Sequence, residues 1–155
     1  MKLIRSSKAT LLFQLSRREG SLLLQVLKLY PRVPSAHQPL SKSDRLPDRE
    51  ENQRLLDEAL AEQRAANKKQ LQTLLADPQR FQRTDTGPRL WLSRVEAEWV
   101  LQVLNDIRVG SCIILGSPED KIEGLDEKTA SDFWAMEMAG YFEAELLAAL
   151  SPEAG

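Results

Sequence analysis

Apolar residues follow two rhythms along this chain. Thr10-Leu11-Leu12-Phe13-Gln14-Leu15 and Arg89-Leu90-Trp91-Leu92 are short runs of strand length. Beyond each, from Leu22 to Tyr30 and from Trp99 to Leu115, the spacing changes to the three and four residues of a helix. The two stretches are copies of one unit. Leu15–Lys28 aligns without gaps on Leu92–Asn105, with eight of fourteen positions identical: Leu, Ser, Arg and Glu at the start, Leu-Gln-Val-Leu near the end. Ser16 with Glu19, and Ser93 with Glu96, match the capping box, in which the serine oxygen accepts the N3 amide and the glutamate returns to the cap amide. Two helix donors that would otherwise lack partners are thereby satisfied in each copy. Each unit predicts a strand, a tight turn and a capped helix. A repeated phosphate-binding turn would need glycines for close backbone approach, and these turns lack them.

The remaining elements follow. Lys2 to Ser6 predicts a first strand, joined through Ser7-Lys8 to the strand at Ala9–Leu15 as a hairpin. The first helix ends near Tyr30, before Pro31. Residues 31–47 hold four of the eight prolines and no apolar rhythm, the mark of a long loop or ordered arm. A second helix over 48–76 has Asp48, Glu50 and Glu51 at the positive end of its dipole. Its leucine stripe is interrupted by Gln63, Asn67 and Gln70, so part of it faces solvent or a partner. Gly87-Pro88 turns the chain into the Arg89 strand, and the helix after Ser93 runs to Leu115, where Gly116 and Pro118 stop it. A last helix starts at Asp126 or Thr129 and ends at Leu150. Phe133, Trp134, Met136, Met138, Tyr141 and Phe142 cover much of its circumference, as core or as core plus dimer interface. The expectation is one α+β domain over 1–155, predominantly α-helical, with four main helices and a small antiparallel sheet of two or three short strands. Its parts are 1–30 (hairpin and first helix), the 31–47 loop, the 48–76 helix, the second strand–helix unit at 88–116, and the C-terminal helix at 126–151.

The Ser93 helix is apolar on more than one side. Trp99, Val100, Val103, Ile107, Gly110 and Ile114 gather on one face, while Leu101, Leu104, Cys112 and Leu115 lie away from it. Such a helix belongs at the centre of a domain or of a dimer. Within it, Asn105, Asp106 and Arg108 form the one polar notch. Buried polar groups must be paired. Two readings follow: a small-ligand pocket in which Arg108 offers its planar fork to a carboxylate or phosphate, or a structural network in which Asp106 caps a neighbouring element. Gly110 suggests a close contact between helix and neighbour.

Composition narrows the chemistry. With 42% hydrophobic and 28% charged residues the chain is an ordinary globular protein. No apolar run approaches the roughly 18 residues of a membrane span, and the first residues lack a signal peptide's apolar stretch. A cytoplasmic location without membrane contact is expected. Cys112 and His37 are the only cysteine and histidine, so no internal disulfide or thiolate cluster can form, and a histidine-based triad could use only His37, in the proline-rich loop. No HExxH, CxxC or Walker loop occurs, and Glu137, Glu143 and Glu145 lack the histidines of a carboxylate metal site. No enzyme activity, cofactor or metal is expected.

Charge is uneven. Residues 1–45 hold nine Lys/Arg against two Asp/Glu, 46–115 ten against eleven, and 116–155 two against ten. The basic first third could serve a nucleic-acid-binding regulator, against which stand a pI near 5.6 and the lack of a recognition helix. Otherwise the oppositely charged ends lie near each other on the folded surface, where each pair contributes about 0–1 kcal/mol.

Arg89-Leu90-Trp91-Leu92-Ser93, the acidic helix start, Leu104-Asn105-Asp106-Ile107-Arg108, Gly110 and Leu115-Gly116 together resemble the signature of an uncharacterised bacterial family, domain of unknown function 2017. Leu15–Tyr30 and Lys68–Leu75 also fit, so the resemblance covers about half the chain. Ser111-Cys112-Ile113-Ile114 departs from it, standing where the family tends to carry a polar, arginine-containing turn. The resemblance assigns no reaction. Because members are often encoded beside the Clp protease adaptor, it implies a setting in regulated proteolysis. The expected function is a non-catalytic interaction or regulatory protein, a homodimer, with a possible protein partner in Clp-adaptor-dependent proteolysis. Nucleic acid is the less expected partner.

Overall fold

In the computed structural model the two capped units meet strand against strand. The structure describes residues 1–33, 49–116 and 126–152. Its elements are β1 (Lys2–Ser6), β2 (Thr10–Gln14), α1 (Arg17–Leu27), α2 (Arg49–Ala76), β3 (Phe81–Thr84), β4 (Gly87–Ser93), α3 (Arg94–Leu115) and α4 (Glu127–Leu150). The strands form one antiparallel sheet in the order β1-β2-β4-β3. The class is α+β and predominantly helical, with four helices among the described residues.

The sheet has one strand more than the two or three expected, and the second unit begins before residue 88. Phe81-Gln82-Arg83-Thr84 carries no apolar alternation and becomes a strand through its partner, pairing from Phe81↔Leu90 to Thr84↔Gly87. The turn therefore lies at 85–86, and Gly87 opens β4. Gly87 has φ 131°, and a Cβ there would sit 2.2 Å from the Leu15 carbonyl oxygen. Only glycine fits where β4 crosses the entry to α1.

The duplication is a two-fold arrangement. Phe13 and Leu90, equivalent in the two copies, face each other across β2 and β4, and the flanking pairs Leu12↔Trp91 and Gln14↔Arg89 are related by the same two-fold. The hairpin partners β1 and β3 take the two edges. Ser16 and Ser93 adopt nearly the same backbone, φ −70° and ψ 164° against φ −68° and ψ 161°. From the first turn of each helix an arginine reaches the other unit's hairpin. Arg17 Nη2 donates to the Asp85 carbonyl at 2.7 Å, and Arg94 Nε to the Ser7 carbonyl at 2.8 Å.

One face of the sheet (Leu11, Phe13, Leu90 and Leu92) enters a single core with the buried sides of α1, α3 and α4. Residues of α3 are buried on both its sheet side and its α4 side, so its double apolar character is satisfied within one chain. Ile114, expected on the buried face, is 43% exposed: backbone from residues 32 and 33 covers Gly110, and Ile114 lies one turn further along. In α2 only Leu71 and Leu74 are buried, as its interrupted stripe implies. Gly116 ends α3 in the left-handed conformation, φ 60°. Asp126 caps α4 by accepting from the Thr129 amide at 2.7 Å, and that amide holds its carboxyl below the usual carboxylate range. Most of the expected 31–47 loop, with His37, and the acidic segment 117–123 lie outside the described residues. Among the described residues no helix is long and apolar enough to cross a membrane.

Candidate functional site

The polar notch of α3 is where three elements converge. Residues 31–33, which follow α1 after a cis Tyr30–Pro31 peptide, cross over α3 as a strap. Asp106 Oδ1 accepts the amide of Arg32 at 2.7 Å and that of Val33 at 3.3 Å. One turn later Gly110 lies under the same backbone, and a Cβ there would be 2.5 Å from the Arg32 carbonyl carbon. The Arg32 guanidinium continues to Asp132 on α4, pairing through Nη2 and Oδ1, while its Nε is buried without a hydrogen-bond partner. Two carboxylates from two helices thus hold one residue, Asp106 by its backbone and Asp132 by its side chain.

Beside the strap, α2 and α3 flank a groove of about 450 Å³. Asp106 Oδ2 faces Arg64 of α2 at 4.0 Å, and Asn67 donates to the Tyr30 hydroxyl at 3.1 Å. Charges here come in balanced pairs, Arg64 with Asp106 and Arg32 with Asp132. The groove therefore offers an ion little net attraction.

The structure does not bring the three notch residues to one pocket. Two positions along a helix are about 200° apart, so Asp106 faces the strap while Arg108 leaves toward α4. Arg108 Nε donates to Glu143 Oε1 and Nη2 to Asn105 Oδ1, both at 3.1 Å, and the side chain is 47% exposed. This corrects the reading of a small-ligand pocket built around Asp106 and Arg108 together. Asp106 serves as the cap of a neighbouring segment, and Asn105 orients Arg108.

The four capping residues stand where expected. Ser16 Oγ and Ser93 Oγ accept the amides of Glu19 and Glu96 at 3.0 Å, and each glutamate takes its serine's amide at 2.9 Å. Each capping glutamate also receives a cation: the Met1 ammonium at Glu19, the Arg80 guanidinium at Glu96. Tyr141 adds a hydroxyl donor to Glu19 at 2.7 Å. Burial works to raise the Glu96 carboxyl. The Ser93 amide and Arg80 outweigh it, and hold Glu96 below its ordinary value. At Met1 burial dominates and lowers the ammonium, opposed by Glu145.

Arg32, Arg64 and Asp132 escaped the sequence reading. Asp132 had a signal, since it continues the buried stripe of Ala135, Ala139, Phe142, Leu146 and Ala149. Arg32, in a stretch without periodicity, had none. Among the described residues no three His, Cys, Asp or Glu side chains gather as a metal site, and Cys112 is half-buried as a free thiol. No family model, no curated protein and no solved structure matches the chain.

Proposed function

We propose that this protein is a non-catalytic interaction protein that self-associates through the outer face of α4. The carrying observation is that this helix is apolar on a side its own fold does not cover. Its inner stripe is buried, yet Phe133 and Leu147 are 42% and 54% exposed. Phe133 and Leu147 lie two heptads apart, a spacing that returns both to one side of a helix. A second copy offers the same face in return, and in such a two-fold contact each residue acts twice. The chemistry of the α3 notch supports the non-catalytic half of the reading, since its polar groups are engaged with one another and with the strap. A setting in regulated proteolysis, which the family resemblance implies, suits a protein of this kind; co-purification with a Clp adaptor would support that setting.

Sedimentation at micromolar concentration is the test. A dimer that dissociates when Phe133 and Leu147 are both replaced by glutamate is the expected result. A wild-type chain that stays monomeric throughout that range refutes self-association.

A further inference from the structure

The second face of the sheet takes no part in the core. Leu12 is 4% exposed yet stands outside the core cluster, lying between its cross-strand partners Arg5 and Trp91. By alternation this face carries Lys2, Arg5, Gln14, Arg89 and Trp91, all of them exposed or half-exposed.

Its charge is one-sided. The four strands hold no aspartate or glutamate. Among the described residues, Lys2, Arg5 and Arg89 have no carboxylate partner; Arg89 Nε donates only to Gln14 Oε1, at 3.0 Å. At the centre the Arg5 guanidinium lies over the Trp91 ring, 5.9 Å from its centroid, while Trp91 Nε1 reaches Gln82 Oε1 at 3.4 Å. This is a bare cationic surface on a chain whose net charge is −2. Arg17, also in the basic first third, is engaged with the Asp85 carbonyl instead.

We propose that this open face binds single-stranded nucleic acid. Lys2, Arg5 and Arg89 hold phosphates, and a base stacks on the Arg5–Trp91 pair. An unpaired strand supplies both groups the surface calls for, anionic oxygens and an accessible π face, and a four-stranded sheet presents room for about two or three bases. A duplex keeps its bases stacked inside and offers Trp91 nothing. A lipid surface would call for protruding apolar side chains, and here only Ile4, at the β1 bulge, protrudes, 43% exposed. An acidic peptide answers the charge and leaves the ring unused. The proposal is independent of self-association through α4.

The test is fluorescence anisotropy with a labelled oligothymidylate or oligouridylate at low salt. Three phosphate contacts on a single strand give a slope of log K against log salt near about −2, or roughly twenty-fold weaker binding between about 50 and 200 mM. Lys2→Glu with Arg89→Glu, both at exposed positions, is expected to abolish most binding and flatten the slope without changing the melting temperature. Trp91→Ala is expected to lose about 5- to 150-fold. Should it unfold, Trp91→Phe, which keeps a ring, must bind more tightly than Trp91→Leu. No binding at low salt overturns the proposal, as does binding indifferent to the charge reversals. Equal affinity for polyglutamate, for duplex or for vesicles rich in phosphatidylserine overturns it too, because each would show attraction without stacking.

Discussion

Replacing Gly110 by alanine sets local and tertiary structure against each other. In an exposed helix interior the exchange stabilises by about 1 kcal/mol, because alanine restricts the unfolded chain and glycine does not. At Gly110 the added methyl would lie 2.5 Å from the Arg32 carbonyl carbon and 2.7 Å from both the Arg32 oxygen and the Val33 nitrogen. Those neighbours are backbone, with no side chain to swing aside. The strap must lift, at an overpacking cost of about 1–3 kcal/mol. Lifting it also stretches the 2.7 Å bond from the Arg32 amide to Asp106, and hydrogen bonds to charged groups contribute about 1.5–3 kcal/mol. Set against the helical gain, the net is a loss of about 1.5–5 kcal/mol. Gly140 in α4 is the internal control, since a Cβ there meets only Arg108 Cδ at an ordinary 3.7 Å. Urea denaturation of both variants decides the matter: Gly140→Ala is expected to gain stability and Gly110→Ala to lose it. Asp106→Ala completes the cycle, because once the strap is released Gly110→Ala should recover most of its cost. If Gly110→Ala stabilises the wild-type background as much as Gly140→Ala does, the strap does not lie on α3 and the account of the notch fails.

The matching caps predict matching losses: Ser16→Ala and Ser93→Ala should each lower the unfolding free energy by about 1 kcal/mol, within about 0.5–2, and a neutral result at either would dissociate that serine from its helix. Glu96 is held below its ordinary value in the folded protein, so its share of stability is complete above the ordinary glutamate range and is lost as pH falls through the depressed value. Melting temperatures measured from pH 6 down to pH 3, in steps of about 1 unit, should therefore fall less steeply for Glu96→Gln than for wild type, and parallel curves would contradict the assignment. Arg108 is 47% exposed beside Glu143, so Arg108→Ala should cost about 1 kcal/mol or less; a loss of several in thermal unfolding would mean that it holds far more than Asn105 and Glu143.

Elements whose causes are local were legible in advance. Each capping box closes within four residues, and a serine followed three places later by glutamate does the same chemistry wherever the chain goes next. Gly116 terminates α3 by its own backbone freedom. Repetition of the unit was visible as identity between Leu15–Lys28 and Leu92–Asn105. The reach of α2 and α4 followed from unbroken helical sequence between proline-rich or acidic segments.

What pairs across distance was decided only by the fold. Phe81–Thr84 is an edge strand because β4 supplies its hydrogen bonds, and its own polar residues carry no sign of that. Asp106 is identifiable from sequence as a polar group needing a partner, but the partner is an amide seventy-four residues away, chosen by the path the strap takes. The apolar circumference of α4 showed that much would be buried, while the packing of α3, α1 and β1 against it determined which side is left with Phe133 and Leu147 exposed. The basic sheet face has the same origin. Lys2, Arg5 and Arg89 are scattered in the chain, and antiparallel pairing with period-two alternation gathers them around Trp91. Sequence specifies what each residue requires; tertiary structure selects which of the available neighbours meets the requirement, because hydrogen bonds and packing act over a few ångströms in space whatever the separation along the chain.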